Sequence, residues 1–176
     1  MNCGAKYYEN PATSCRAKDE LITAKTIAYM ITWTTYGTWL QGDKRGFVKD
    51  GKIYPANQSI EDSNRQSLAK DPVKLCPMHQ RVVRDAILEA GNRLNQKIYA
   101  LSVSANHVHI VAEYVPEPIG LVVRHFKGSA QAALRKAGVA GRIWTRGFDK
   151  RYCFDEETLK NRIDYVNMHN RISNNI

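Results

Sequence analysis

Two runs of β-forming residues, KIYALSVS (Lys97 to Ser104) and HVHIVAEYV (His107 to Val115), follow one another almost directly in this chain. The link between them, Ser104-Ala105-Asn106, is far too short for the crossover that a parallel pair requires. The two runs therefore form an antiparallel hairpin. In its first strand Tyr99, Leu101 and Val103 alternate onto one face.

Helical periodicity flanks this hairpin on both sides. Over His79 to Asn95, residues Val83, Ala86, Ile87, Ala90 and Leu94 recur at steps of three and four. Over Pro118 to Ala137 the stripe is Val122, Phe126, Ala130, Ala133 and Ala137. Upstream, TIAYMITWTT (Thr26 to Thr35) is β-branched and aromatic, as a central strand would be. Downstream, Trp144 to Phe154 supplies a fourth strand with its approach. Asp155 then caps a last helix running to about His169, with Glu156 and Glu157 favoured in its first turn by the helix dipole. The order β-α-β-β-α-β is the split βαβ, ferredoxin-like arrangement: an α+β fold with a four-stranded antiparallel sheet and helices on one face. A C-terminal helix carrying Tyr165 is added to it.

The whole chain has 176 residues, enough for one good core and short for two. Residues 1–24 are polar and aperiodic and are expected to form an irregular arm, with 25–176 as a single domain. Between Tyr36 and Met78 lies a long polar stretch punctuated by glycine and proline, which carries either function or short structure of its own. No stretch is apolar enough to span a membrane. The first residues lack the apolar core of a signal peptide, so a cytoplasmic protein is expected. The four cysteines (Cys3, Cys15, Cys76, Cys153) are scattered with no C-x-x-C pair, and with His79 they fit no usual zinc spacing.

Charge narrows the partner. Lys and Arg outnumber Asp and Glu by 26 to 17, for a net charge of +9. That excess favours a polyanion, nucleic acid before acidic lipid.

Successive strand residues face opposite ways, so His107 and His109 share one face, where two imidazoles can converge on a divalent cation. The H-x-H spacing alone does not separate that reading from two hydrogen-bonded surface histidines. In the last helix Leu159, Ile163 and Val166 form the apolar stripe, and Tyr165 lies off it on a face shared with Arg162 and His169. Tyr165 and His169 are one turn apart and hence neighbours. A phenol is a weak nucleophile at its ordinary pKa near 10, and an adjacent cation would favour phenolate.

These features fall within five blocks that together resemble the REP-associated tyrosine transposases, part of the HUH single-tyrosine transposases of bacterial insertion sequences. The blocks are WTTYGTWLQGDKRGF (from Trp33), NHVHIVAE (from Asn106), RHFKGSAQAALR (from Arg124), GRIWTRGFDKRYCFDEETL (from Gly141) and IDYVNMHN (from Ile163). The resemblance implies a bacterial enzyme that binds single-stranded DNA beside an imperfect hairpin. It would cleave through a 5′-phosphotyrosine and rejoin strands with the freed 3′-hydroxyl, acting as a monomer or homodimer. It further implies His107 and His109 as ligands of Mg²⁺ or Mn²⁺ and Tyr165 as nucleophile. His169 stands where that class commonly has Gln or Asn as third ligand, and Asn170 is followed by Arg171 where relatives often have proline. Lys127, near Arg124 on the preceding helix, resembles a position usually basic in relatives and is a candidate DNA contact.

Tyr36, Trp39 and Arg45, with Trp33 and Phe47 nearby, interleave aromatic and basic groups as single-strand binders do, although Trp33 lies within a strand and reads as core. With Arg124, Lys127 and Arg162 they complete the expected DNA-binding set. A catalytically idle hairpin-DNA-binding regulator of the same fold is the alternative. A replication initiator or relaxase would carry further domains, and an RNA-binding ferredoxin-like module would show an aromatic RNP motif that this chain lacks.

Overall fold

The computed structural model describes residues 26–49 and 52–173, so the expected arm over 1–24, with Cys3 and Cys15, lies outside the described residues. Strand β1 (Ala28–Thr34) is central. It pairs antiparallel with β5 (His107–Glu113) on one side and β6 (Asp149–Cys153) on the other, and β4 (Ile98–Val103) completes the order β4-β5-β1-β6. The expected hairpin is closed by the Ser104 amide, which donates to the His107 carbonyl at 2.9 Å. This is the α+β arrangement read from the sequence.

Helices cover both faces of this sheet. Helices α2 (Pro77–Arg93) and α3 (Ile119–Lys136) lie against the face carrying Tyr29, Ile31, Trp33, Val108 and Ile110. Helix α4 (Glu156–Ser173) lies against the other face, where Leu159 and Val166 meet Met30, Ala100, Val111 and Cys153. Cover on both sides explains why TIAYMITWTT reads as a nearly continuous apolar run rather than an alternation. Asp155 begins α4 as expected. Its carboxylate accepts from the Thr158 amide at 2.7 Å and the Thr158 hydroxyl at 2.9 Å, bonds that hold its pKa below the ordinary carboxylate value.

Three local expectations need correction. Tyr99 does not share a face with Leu101 and Val103: the register with β5 shifts between Ile98 and Ala100, and the extra residue turns Tyr99 to the α4 side. The buried stripe of α3 ends on Leu134 rather than Ala133 and Ala137, because 122, 126, 130 and 134 keep one face and Ala137 is exposed at the cap. Leu94 is the cap of α2 and is exposed, so the buried stripe of that helix ends at Ala90 and Gly91. The fourth strand and its approach fall within Trp144 to Phe154 as expected. Trp144 makes only an isolated bridge to Thr35, and the strand proper starts at Asp149.

The long polar stretch does contain structure. Strands β2 (Phe47–Lys49) and β3 (Lys52–Tyr54) form a small hairpin, followed by α1 (Gln58–Gln66), which Asn57 caps by accepting from the Ile60 amide. No residue of α1 is buried, so this insert had no apolar stripe to betray it. It is pinned at Gly42 (φ +97°), where a Cβ would collide with the backbone of Asn57 and Glu61.

If α4 is held by its apolar stripe, Leu159→Ala should cost about 2–5 kcal/mol in urea unfolding. The outward Met168→Ala should stay within about 0.5 kcal/mol. Equal losses would mean that this packing does not hold the helix.

Candidate active site

The strand register places His109 opposite Thr32 on β1 and Ser102 on β4, and His107 opposite Thr34. All of these face α4, which packs chiefly on β4 and β5. One turn of that helix brings Tyr165 and His169 over the histidine pair. Ring centroids lie 4.7 Å apart for His107 and His109, 4.8 Å for His109 and His169, and 5.5 Å for His107 and His169. The Tyr165 ring stands 5.5 Å from His109 and 4.8 Å from His169. The structure thus brings together the four side chains singled out from the sequence, and one copy of the chain carries all of them.

Two neighbours orient the strand imidazoles. The Thr32 hydroxyl lies 2.7 Å from Nδ1 of His109, and the Asn106 side-chain oxygen lies 2.7 Å from Nδ1 of His107. An amide oxygen only accepts, so His107 donates from Nδ1 and keeps the lone pair on Nε2. Such an outer partner is what fixes tautomer and aim in metal-ligating histidines. Burial pushes the pKa of His109 down to about 3, assisted by His107 and His169. Burial likewise pushes His107 down to about 4, assisted by His169 and then Arg45. Both imidazoles are therefore neutral at pH 7, the state that ligates.

These residues fit a divalent cation. The ligating atoms of His107, His109 and His169 lie within 4.8 Å of one another. An all-imidazole set suits borderline transition metals better than Mg²⁺, which prefers oxygen ligands.

A cleft of about 680 Å³ opens beside His109 and Tyr165, between the β1–β6 side of the sheet and the segment from Trp39 to Phe47. Arg162 and Trp39 both line it. The other expected DNA-binding residues are placed differently. Arg45 forms a two-pronged pair with Asp43, Nε to Oδ1 and Nη2 to Oδ2, both 2.7 Å, while facing the Trp39 ring at 5.7 Å. Lys127 donates to the carbonyls of Gly147 at 2.8 Å and Thr145 at 3.1 Å; burial, and then Arg142, lower its pKa to about 8. Tyr36 has Lys70 and Arg142 over its ring at 5.3 and 5.4 Å, and its hydroxyl accepts from the Ala69 amide. Arg124 is exposed on α3, which packs on the sheet face away from the histidines.

Sequence reasoning missed Thr32 and Asn106 as orienting groups, and Phe148, Asp149 and Arg151 as cleft lining. Asn106, directly before the histidine pair, was within reach of the sequence. Thr32 was not, because only the strand register places it by His109.

No family model and no curated protein matches the chain. Among solved structures it is similar to a REP-associated tyrosine transposase bound to a REP hairpin, with 14% identity and a TM-score of 0.47 over 94% of this chain and 70% of that one. It is also similar to a candidate transposase from Deinococcus radiodurans, with 14% identity and a TM-score of 0.42 over 96% of this chain and 98% of that one. Likeness at this level fixes neither family nor activity, and the functional reading rests on the site itself. No helix among the described residues is long and apolar enough to cross a membrane.

The pKa values give a sign for acid stability. An unfolded histidine takes up its proton near pH 6.5, whereas the folded pair stays neutral to about pH 4 and about pH 3. Below about pH 6.5 the unfolded state binds more protons, so the metal-free protein loses stability as pH falls toward 4. Thermal midpoints should drop from pH 7 to about 4.5, and less steeply in a His107→Asn, His109→Gln double variant; identical slopes would refute the desolvation of the pair. In titration calorimetry Mn²⁺ should bind more tightly than Mg²⁺. Asn106→Ala should weaken Mn²⁺ by about 10–100-fold, and an unchanged affinity would deny it the orienting role.

Proposed function

We propose that this chain nicks and rejoins single-stranded DNA, with Tyr165 as nucleophile and His107, His109 and His169 as ligands of a divalent cation, Mg²⁺ or Mn²⁺. The observation that carries this reading is the placement of an exposed tyrosine against three clustered imidazoles at the mouth of an open cleft.

The Tyr165 oxygen attacks the phosphorus of a phosphodiester held in line. A new P–O bond to tyrosine forms, the P–O3′ bond breaks, the phenolic proton leaves to solvent, and the 3′-oxygen takes up a proton. The linkage at phosphorus is exchanged rather than hydrolysed, so the reverse attack by a 3′-hydroxyl rejoins strands without a nucleotide cofactor. His107, His109 and His169 would hold the cation, which when bound would offer positive charge to the phosphate oxygens. Thr32 and Asn106 keep two imidazoles aimed, and the Leu159–Val166 stripe keeps Tyr165 in range. Arg162, three residues before Tyr165 on the same helix, lines the cleft and would meet a phosphate beside the reacting one. Trp39 offers a face to unpaired bases. Arg45 and Lys127, committed within the fold, Arg124 on α3, and Tyr36 between Lys70 and Arg142 would act outside the cleft, the basic ones by drawing the strand in through charge.

In this reading residues 25–176 act as one catalytic domain in the bacterial cytoplasm on a strand beside an imperfect hairpin. Because one copy carries all four side chains, a monomer suffices, and a homodimer would use each tyrosine with its own histidines.

Labelled single strands from the DNA flanking the gene should give a covalent protein–DNA band on a denaturing gel with Mn²⁺ or Mg²⁺. EDTA should abolish the band, and so should Tyr165→Phe. Tight hairpin binding with no adduct under either metal would favour instead an idle DNA-binding regulator of the same fold.

A further inference from the structure

The cleft beside Tyr165 has a far end that the nicking chemistry does not use. Asp149 and Arg151, across β1 from His109, line it there with the preceding Phe148, and Phe47 and Trp39 also line the cleft. Its volume of about 680 Å³ falls within the roughly 300–1,000 Å³ of small-molecule sites. The lining is chiefly apolar and aromatic. Two guanidiniums, Arg151 and Arg162, face it against one carboxylate, Asp149, which is itself paired to Arg151 at 3.1 Å.

We propose that this end of the cleft is a subsite for one unpaired nucleobase next to the phosphate presented to Tyr165. The proposal rests on the single-strand reading above and adds to it where the neighbouring base sits and what selects it. Three features converge on that occupant. Aromatic rings beside a phosphate-binding surface are how single strands are held without pairing, since every base has a π-face. The surplus positive charge of the lining suits the phosphate that accompanies the base. The cleft is also continuous with the candidate active site, through His109 and Tyr165 at its other end. A base still paired in a duplex would have to leave its stack to enter, so the subsite selects single strands.

The Asp149–Arg151 pair gives this wall an acceptor and donors for a base edge. A carboxylate accepts from an exocyclic amino group, as on cytosine, and thymine has none. The subsite therefore prefers cytosine to thymine, with Asp149 as the specificity-determining residue.

The molecule carries its own probe. Of its three tryptophans, Trp33 and Trp144 are buried at 1% and 6% exposure, whereas Trp39 is 39% exposed and lines the cleft. A base stacking there should quench Trp39 fluorescence. The titration uses the full chain carrying Tyr165→Phe, in EDTA, with single-stranded dC6 and dT6 and with a blunt duplex of the same length. Saturable quenching by dC6 is expected, weaker by dT6 and absent with duplex, and Trp39→Phe should remove it. Phe148→Ala should weaken dC6 roughly tenfold, and Asp149→Asn should erase the preference over dT6. Circular dichroism on each variant would show that it is folded.

Quenching that ignores Phe148→Ala, or that duplex matches, would overturn the subsite. Equal titration by dC6 and dT6 would overturn the role given to Asp149. Since the assay needs neither metal nor Tyr165, the two readings fail separately. Quenching without any covalent adduct in the gel assay would leave the subsite standing and sink the nickase. An adduct without quenching would do the reverse.

Discussion

Everything at the candidate site depends on how helix α4 docks on the sheet. β5 by itself presents two imidazoles and nothing that could attack. Tyr165 and His169 reach them because Leu159 and Val166 bury against Met30, Ala100, Val111 and Cys153. Fully burying side chains of that kind stabilises by about 1.5–3 kcal/mol each. A helix offset by one residue would rotate by 100° and carry Tyr165 away from His109. The apolar stripe, remote from the chemistry, thus sets its geometry, and the Asp155 cap fixes where the helix begins.

That docking also fixes the protonation state. Covering the β5 histidines takes them largely out of water, and the neighbouring His169 further disfavours charge on both of them. With His107 near 4 and His109 near 3, protons do not compete for these nitrogens at neutral pH. Metal affinity ordinarily falls where ligands must first lose protons. Here burial, which disfavours a charged imidazole, leaves the lone pairs available to a cation.

How much of this was legible in the sequence follows from which physical signals are local. The element order could be read because the long helices α2 and α3 carry a buried period and the central strands are runs of β-branched and apolar residues. The insert over 47–66 could not, since its strands are three residues long and its helix buries nothing. Tyr99 was misassigned because a bulge breaks the period of two without leaving a mark in composition. Within the site, His107 with His109 and Tyr165 with His169 are periodic pairs on single elements and were visible. That the two pairs meet, that Thr32 stands beside His109 and that Phe148 faces the cleft are consequences of packing, which no window of sequence contains.

The basic residues illustrate the same limit, and they bear on how a net charge of +9 acts. Arg45, Lys127, Lys70 and Arg142 are all engaged within the fold: with Asp43, with the carbonyls of Thr145 and Gly147, and around the Tyr36 ring. Lys70 also donates to the Arg142 carbonyl at 2.5 Å. A long-range field needs only that charge be present, so these groups still draw a polyanion toward the molecule. Direct contact needs donors not already committed, and Lys127, with its pKa lowered to about 8, is poorly suited to it. Contributing to the field and being free for contact are thus properties of different residues. Much of the charge holds the loops in place, and of the guanidiniums only Arg151 and Arg162 line the cleft.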